Sequence, residues 1–268
     1  MSFRQAVVLV AHGSRDPRAG RATEALAAAV RARQPGWDVR ASYLDHSVPR
    51  PRQVLASFAE AGHRRAIMVP LLLTAAYHGR VDVPGEITAA RAEGVRLEVE
   101  LAEVLGPVGG QVPELLLDGL AVRLDEAASP VGGAASSVGE AASPAGPVDG
   151  VVLTAAGTRS ASARATVEEA AAALGERLGV PWRVAYASAA PPLSGDAVRS
   201  LRTQGCRRVG LVSYFLAPGL LWDATVASAR EAEVAVVAEP LTDTPALAAL
   251  VASRVTDAGG RAEFVPAA

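Results

Sequence analysis

Short runs of aliphatic and β-branched residues alternate with longer amphipathic segments along the first half of the chain. Residues 6–11, AVVLVA, open this alternation and are typical of a buried parallel strand, because neither face is polar. Asp16 and Pro17 then favour a helix start, with the carboxylate as cap and proline in the first turn. The pattern predicts strands at 6–11, 39–44, 65–72 and 96–102, and helices at 17–33, 51–61, 84–92 and 111–125.

The same order of strands and helices returns after residue 150. The predicted strands are 151–155, 183–186, 208–214 and 234–237, and the predicted helices are 161–178, 195–203, 220–231 and 245–256. Between the two halves, residues 127–149 are mostly Ala, Ser, Gly and Pro, a composition typical of a flexible linker. We therefore expect an α/β protein with two similar domains, 1–126 and 150–268, each a four-stranded parallel sheet with flanking helices.

The two halves also align as sequence repeats. VVLVAHGSR at 7–15 corresponds to VVLTAAGTR at 151–159, and GHRR at 62–65 corresponds to GCRR at 205–208. Tyr43 and Tyr186 occupy matching positions near the end of the second predicted strand of each half. An internal duplication of this kind allows each residue of one half to be compared with its counterpart in the other.

The polar residues that could do chemistry are confined to the first half. All four histidines lie there: His12, His46, His63 and His78. The alignment matches His12, Asp45 and His78 with Ala156, Ser188 and Leu221, respectively. The fold itself therefore does not require these three side chains. We expect His46 to be a bystander and His63 to be structural.

The positions of His12, Asp45 and His78 favour a functional role. Each follows a predicted strand, and the carboxyl ends of parallel strands form the ligand-binding edge of an open α/β sheet. Two imidazoles and a carboxylate at one edge could hold a borderline divalent metal. Ser14 and Arg15 start the first helix, where backbone N–H groups favour anions, and with Arg80 they are candidate substrate-binding residues.

The composition narrows the class of protein. Half of the residues are hydrophobic and the formal net charge is −2, which argues against a nucleic-acid partner. No lysine occurs, so an acidic substrate would be held by arginine guanidinium groups. The lone cysteine, Cys206, fits a reducing compartment, and neither a signal peptide nor an apolar run of membrane-spanning length is evident. We expect a cytoplasmic protein that does not enter a membrane.

Two segments resemble the motifs of a known family. VAHGSRD at 10–16 and VPLLLTAAYHGRVDVP at 69–84 are similar to motifs of the class II sirohydrochlorin chelatases, which insert cobalt or iron into a tetrapyrrole for cobalamin or siroheme biosynthesis. The resemblance covers nearly the whole chain. It implies two similar domains facing each other across a cleft, a lyase-type activity, and Co²⁺ or Fe²⁺ as substrate without an organic cofactor.

The resemblance also implies roles for particular residues. His12 and His78 would bind the metal and accept protons, and Asp45 would orient an imidazole or offset charge. The family often has Glu where this chain has Asp45, one methylene shorter. Ser14, Arg15 and Arg80 would contact the acidic groups of the macrocycle. A monomer or a homodimer is compatible with a fused pair of domains.

Three other classes of protein remain open at the level of sequence. A non-catalytic tetrapyrrole or metal carrier would use the same residues without turnover. A phosphohydrolase or sugar-phosphate binder would use the Gly-Ser-Arg turn at 13–15, but would not explain the one-sided loss of histidines. A periplasmic-type binding protein is disfavoured by the absence of a signal peptide.

Overall fold

A computed structural model of the 268-residue chain describes residues 4–74, 82–129 and 146–262. In these ranges the strands are β1 Gln5–Ala11, β2 Trp37–Tyr43, β3 Arg65–Pro70, β4 Glu98–Leu101, β5 Gly150–Ala155, β6 Trp182–Tyr186, β7 Val209–Ser213 and β8 Val236–Val237. The helices are α1 Pro17–Arg33, α2 Pro51–Glu60, α3 Asp82–Ala92, α4 Glu114–Ala128, α5 Ala161–Leu178, α6 Ser194–Thr203, α7 Leu220–Glu231 and α8 Pro245–Ala262. The predicted order of elements is confirmed.

Two parallel four-stranded sheets form the core of the protein. Their strand orders are β2-β1-β3-β4 and β6-β5-β7-β8, so both halves have the same topology. In β1, Ala6, Val7, Val8 and Leu9 have no exposed surface, because helices cover both faces of the sheet. This burial explains why the strand shows no polar alternation. The predicted α/β class with two four-stranded sheets is confirmed.

Local signals at the helix ends act as the sequence predicts. The Asp16 carboxylate accepts a hydrogen bond of 2.9 Å from the Arg18 backbone N–H at the start of α1. At the end of α5, Gly179 adopts the left-handed conformation (φ 65°) that glycine tolerates best. Helices α5 and α7 begin and end at the predicted residues, whereas α8 continues six residues past the predicted end, Thr256.

The compact units of the structure differ from the predicted ranges in where the last helices belong. The first unit takes the described residues up to Leu116 and from Thr242 onward, and the second takes those from Leu117 to Leu241. In the first unit, Arg254 of α8 donates to the Gly106 carbonyl at 3.4 Å. In the second, Arg123 of α4 donates to the Pro240 carbonyl at 3.0 Å.

The predicted linker, 127–149, is only partly described. Helix α4 extends to Ala128, and residues 130–145 lie outside the described residues. Cys206 is buried, as expected for a structural thiol. Among the described helices, none combines the length and the apolar character that crossing a membrane would require.

Candidate functional site

His12 and Asp45 are neighbours at the carboxyl edge of the first sheet. Parallel pairing continues past the ends of β1 and β2, with the Leu44 N–H donating to the Ala11 carbonyl at 2.9 Å. The Asp45 N–H then donates to the His12 carbonyl at 2.8 Å. The sequence placed these two residues after separate strands, and the register of the sheet brings them together.

Gly13 makes this close pairing possible. Its backbone has φ +92°, and an added Cβ would lie 1.8 Å from the Asp45 carbonyl oxygen. Gly157 repeats the feature in the second half, with φ +93° and a Cβ position 1.9 Å from the Ser188 carbonyl oxygen. The glycine therefore serves the backbone turn in both halves, whatever the neighbouring side chains do.

The Asp45 carboxylate lies close to the side chains of His46 and Arg50. It is 53% exposed, and its Oδ1 accepts the His46 backbone N–H at 2.8 Å. His46 Nε2 lies 3.4 Å from Oδ2, and Arg50 Nη2 lies 3.7 Å from Oδ1. The His46 backbone N–H lowers the pKa of Asp45 most, and desolvation opposes it. Electrostatic interactions with His46, Arg50 and His12 lower the pKa further, so that the net shift is downward. Asp45 is therefore an ionised acceptor at neutral pH.

The second half keeps the backbone of this cluster and loses its charges. Ser188 N–H donates to the Ala156 carbonyl at 3.2 Å, as Asp45 does to His12. His46 has φ 58° and its counterpart Ala189 has φ 64°. Arg50 precedes α2 as Leu193 precedes α6.

His46, predicted to be a bystander, therefore contacts a predicted site residue. The contact of Arg50 with Asp45 was also missed by sequence reasoning. The change from His46 and Arg50 to Ala189 and Leu193 is the sequence signal that could have revealed both.

Ser14 and Arg15 lie at the start of α1 beside this cluster. The Ser14 hydroxyl accepts the Asp16 N–H at 3.0 Å, and the Ser14 carbonyl accepts the Ser47 hydroxyl at 3.4 Å. Ser14 is half-buried, whereas Arg15 is exposed. The Ser14 hydroxyl thus stabilises the turn, and the Arg15 guanidinium lies at the surface. Substrate binding by either residue stays a prediction.

His78 and Arg80 lie outside the described residues, so their predicted roles stay predictions. Within the ranges 4–74, 82–129 and 146–262, no three His, Cys, Asp or Glu side chains are grouped as a metal site. A metal site would therefore need a ligand beyond those ranges or from the substrate. His12 and Asp45 are the described part of the predicted set.

Other candidate side chains have structural partners. His63 Nε2 lies 3.4 Å from Asp38 Oδ2, and its ring packs edge-on against Phe58 with centroids 5.2 Å apart. These contacts agree with the structural role expected of His63. In the second half, Leu220 and Leu221 at the start of α7 are 79% and 45% exposed, so they place apolar surface after β7.

The fold and this site define a class of protein: a duplicated parallel α/β protein in which His12 and Asp45, at the carboxyl edge of the first sheet, are replaced by Ala156 and Ser188 in the second half. The CbiX family model matches residues 6–122 and 150–258, which cover both halves. The chain therefore belongs to the CbiX family.

Individual relatives agree with this assignment. A sirohydrochlorin cobaltochelatase from Methanococcoides burtonii is 27% identical over 84 residues, which are 31% of this chain and 64% of that protein. The match thus spans less than two thirds of that relative. The structure of SirB from Bacillus subtilis with Fe³⁺ aligns over 97% of each chain with a TM-score of 0.75 at 19% identity. Another similar structure is that of CbiX, the terminal enzyme for biosynthesis of siroheme in denitrifying bacteria. It aligns over 95% of this chain and 99% of its own, with a TM-score of 0.63 and 19% identity. At these identities the two structures support the fold.

Proposed function

We propose that this chain is a sirohydrochlorin chelatase that inserts a divalent metal, Co²⁺ or Fe²⁺, into the tetrapyrrole for cobalamin or siroheme biosynthesis. The observation that carries the proposal is the one-sided chemistry of a CbiX-family duplication. His12 and Asp45 lie side by side in the first half, and Ala156 and Ser188 replace them in the second. A carrier for phosphorylated ligands would not require this difference between the two halves.

Metal insertion needs groups that hold a partly dehydrated cation and groups that remove two pyrrole protons. Histidine serves both needs near neutral pH, since neutral imidazole ligates borderline metals and also accepts a proton. We assign both tasks to His12 and His78. Asp45 is ionised, and its negative charge would stabilise the imidazolium that forms when His12 takes a proton.

The substrate is a large macrocycle with many carboxylates. Arg15 is exposed beside His12 at the start of α1, and guanidinium groups bind carboxylates bidentately. Arg15, Ser14 and Arg80 are therefore the proposed substrate-binding residues. The exposed Leu220 and Leu221 of the second half are suited to the apolar face of a macrocycle.

The test is anaerobic mixing of the purified protein with sirohydrochlorin and either Co²⁺ or Fe²⁺, followed by absorbance. The parent should accelerate insertion over the protein-free rate, and His12→Ala and His78→Ala should each slow it by roughly 10²- to 10⁴-fold. His63→Gln is the control, because an amide can keep the contact with Asp38 and His63 lies after α2, away from His12.

Each outcome has a definite reading. Faster insertion of Co²⁺ would indicate cobalamin synthesis, and faster insertion of Fe²⁺ would indicate siroheme synthesis. No acceleration with either metal would refute the chelatase proposal. A stable spectral shift on binding, without product, would instead identify a tetrapyrrole carrier.

A further inference from the structure

The second half contains an anion cradle that it fills with its own side chain. The Asp149 carboxylate accepts the backbone N–H of Arg207 at 2.8 Å and that of Arg208 at 2.7 Å. These two consecutive N–H groups lie where the chain enters β7, at the amino-terminal edge of the sheet. Successive backbone N–H groups that converge in this way form a binding site for an oxyanion.

The first half has the same backbone at the corresponding place. The paired registers make Gln5 the counterpart of Asp149, and make Arg64 and Arg65 the counterparts of Arg207 and Arg208. The approach to the strand is also the same. His63 N–H donates to the Phe58 carbonyl at 3.0 Å, as Cys206 N–H donates to the Leu201 carbonyl at 3.1 Å.

The side chain that fills the cradle is different in the first half. Gln5 has no carboxylate, and its Nε2 donates to the Ala6 carbonyl at 2.9 Å. A cavity of about 290 Å³ lies at this place, lined by Arg4, Gln5, His63, Arg64 and Arg65. Since a water molecule takes about 30 Å³ of liquid volume, this space admits a small hydrated oxyanion.

The basic residues around the cavity differ in their partners. Arg65 is partnered by Glu98, at 3.5 Å, and by Glu100, and His63 by Asp38. Arg4 and Arg64 are both exposed, and neither forms an ion pair with another residue of the described ranges.

Fewer arginines surround the corresponding place in the second half. Val148 stands in the place of Arg4, and the Asp149 carboxylate is present. At the cradle the first half therefore has Arg4 in place of Val148 and Gln5 in place of Asp149. The nearby carboxylates of Asp38, Glu98 and Glu100 lie against His63 and Arg65.

We propose that the cavity at Gln5 and Arg64 binds a small oxyanion, either phosphate or a carboxylate, in the place that the Asp149 carboxylate takes in the second half. Backbone N–H groups would bind the oxygens, and the Arg4 and Arg64 guanidinium groups would neutralise the charge. The site lies at the edge of the sheet opposite to His12 and Asp45, and it does not depend on the proposed chelatase activity.

The decisive variant is Gln5→Asp, which gives the first half the carboxylate that the second half already has. Calorimetric titration of the full chain with inorganic phosphate, and separately with acetate, at constant ionic strength should show saturable binding of one or both. Gln5→Asp and Arg64→Ala should each weaken that binding by about tenfold or more, the usual effect of losing or displacing a hydrogen bond to a charged group. Gln5→Asn is the matched control, because it supplies no charge and should bind within about twofold of the parent.

Circular dichroism would verify that each variant is folded. Tighter binding of phosphate than of acetate, or the reverse, identifies the preferred anion, and either result supports the site. Absence of saturable binding of both anions to the parent overturns the proposal. Equal binding by the parent and Gln5→Asp also overturns it, because the anion would then lie elsewhere.

Discussion

At the carboxyl edge of its sheet the first half carries His12, Asp45 and Arg50, where the second carries Ala156, Ser188 and Leu193. The hydrogen bonds that shape this edge are nevertheless kept in both halves. The turn geometry is therefore a requirement of the fold, whereas the ionisable side chains of the first half are not. At the amino-terminal edge the second half instead carries a carboxylate, Asp149, where the first half has Gln5.

The largest expected effect concerns the turn that both halves share. Gly13→Ala and Gly157→Ala should each destabilise the protein by about 3 kcal/mol or more, because strain at positive φ adds to a steric clash with a carbonyl. The midpoint of urea denaturation measures this effect.

Gly36→Ala is the control, since its Cβ meets no atom within 4 Å. If Gly157→Ala lowers the midpoint no more than Gly36→Ala, the turn is not a shared requirement of the fold. Below the unfolding transition, only Gly13→Ala should also slow metal insertion, because only that turn positions His12 beside Asp45.

A smaller effect is expected from exchanging the residues that the two halves carry at the position of Asp45. Asp45→Ser gives the first half the residue of the second and should slow metal insertion by roughly 10- to 100-fold, the usual range for a group that supports a metal-binding histidine. Ser188→Asp, the reverse change, should leave the rate unaltered. Stopped-flow absorbance with sirohydrochlorin measures both rates.

Arg50→Leu should reduce the rate less than Asp45→Ser, because it removes only one of the two side chains that lie close to the carboxylate. Equal rates for Asp45→Ser and the parent would mean that the charge difference between the halves at this position is not functional.

The smallest effect concerns Asp149. Desolvation alone would raise its pKa, but the N–H groups of Arg207 and Arg208 outweigh it and hold the pKa below the ordinary value of 3.8. A lowered folded-state pKa stabilises the fold above the unfolded pKa, and this stabilisation is lost as the pH falls through the folded value. Asp149→Asn should therefore unfold more easily at pH 7, by about 0.5–1 kcal/mol after screening by solvent, and the gap to the parent should be smaller at pH 3. Urea denaturation at both pH values measures the gap, and a gap that is unchanged at pH 3 would contradict this account.

Two parallel sheets, the order of their strands along the chain and the duplication could all be predicted from the amino-acid sequence. Local periodicity is sufficient for this, because a buried parallel strand is apolar on both faces and each helix carries its own start and stop residues. The repeat also identified His12 and Asp45 as dispensable for the fold.

The sequence did not predict which sheet the last helices join or which groups surround each carboxylate. An amphipathic helix such as α8 fits either sheet by its pattern alone, and the packing that places it in the first unit involves residues far apart in sequence. The partners of Asp45 depend in the same way on a turn with positive φ at His46, which directs the following chain back toward the carboxylate. Contacts of this kind depend on side-chain geometry in three dimensions, and no local pattern in the sequence carries that information.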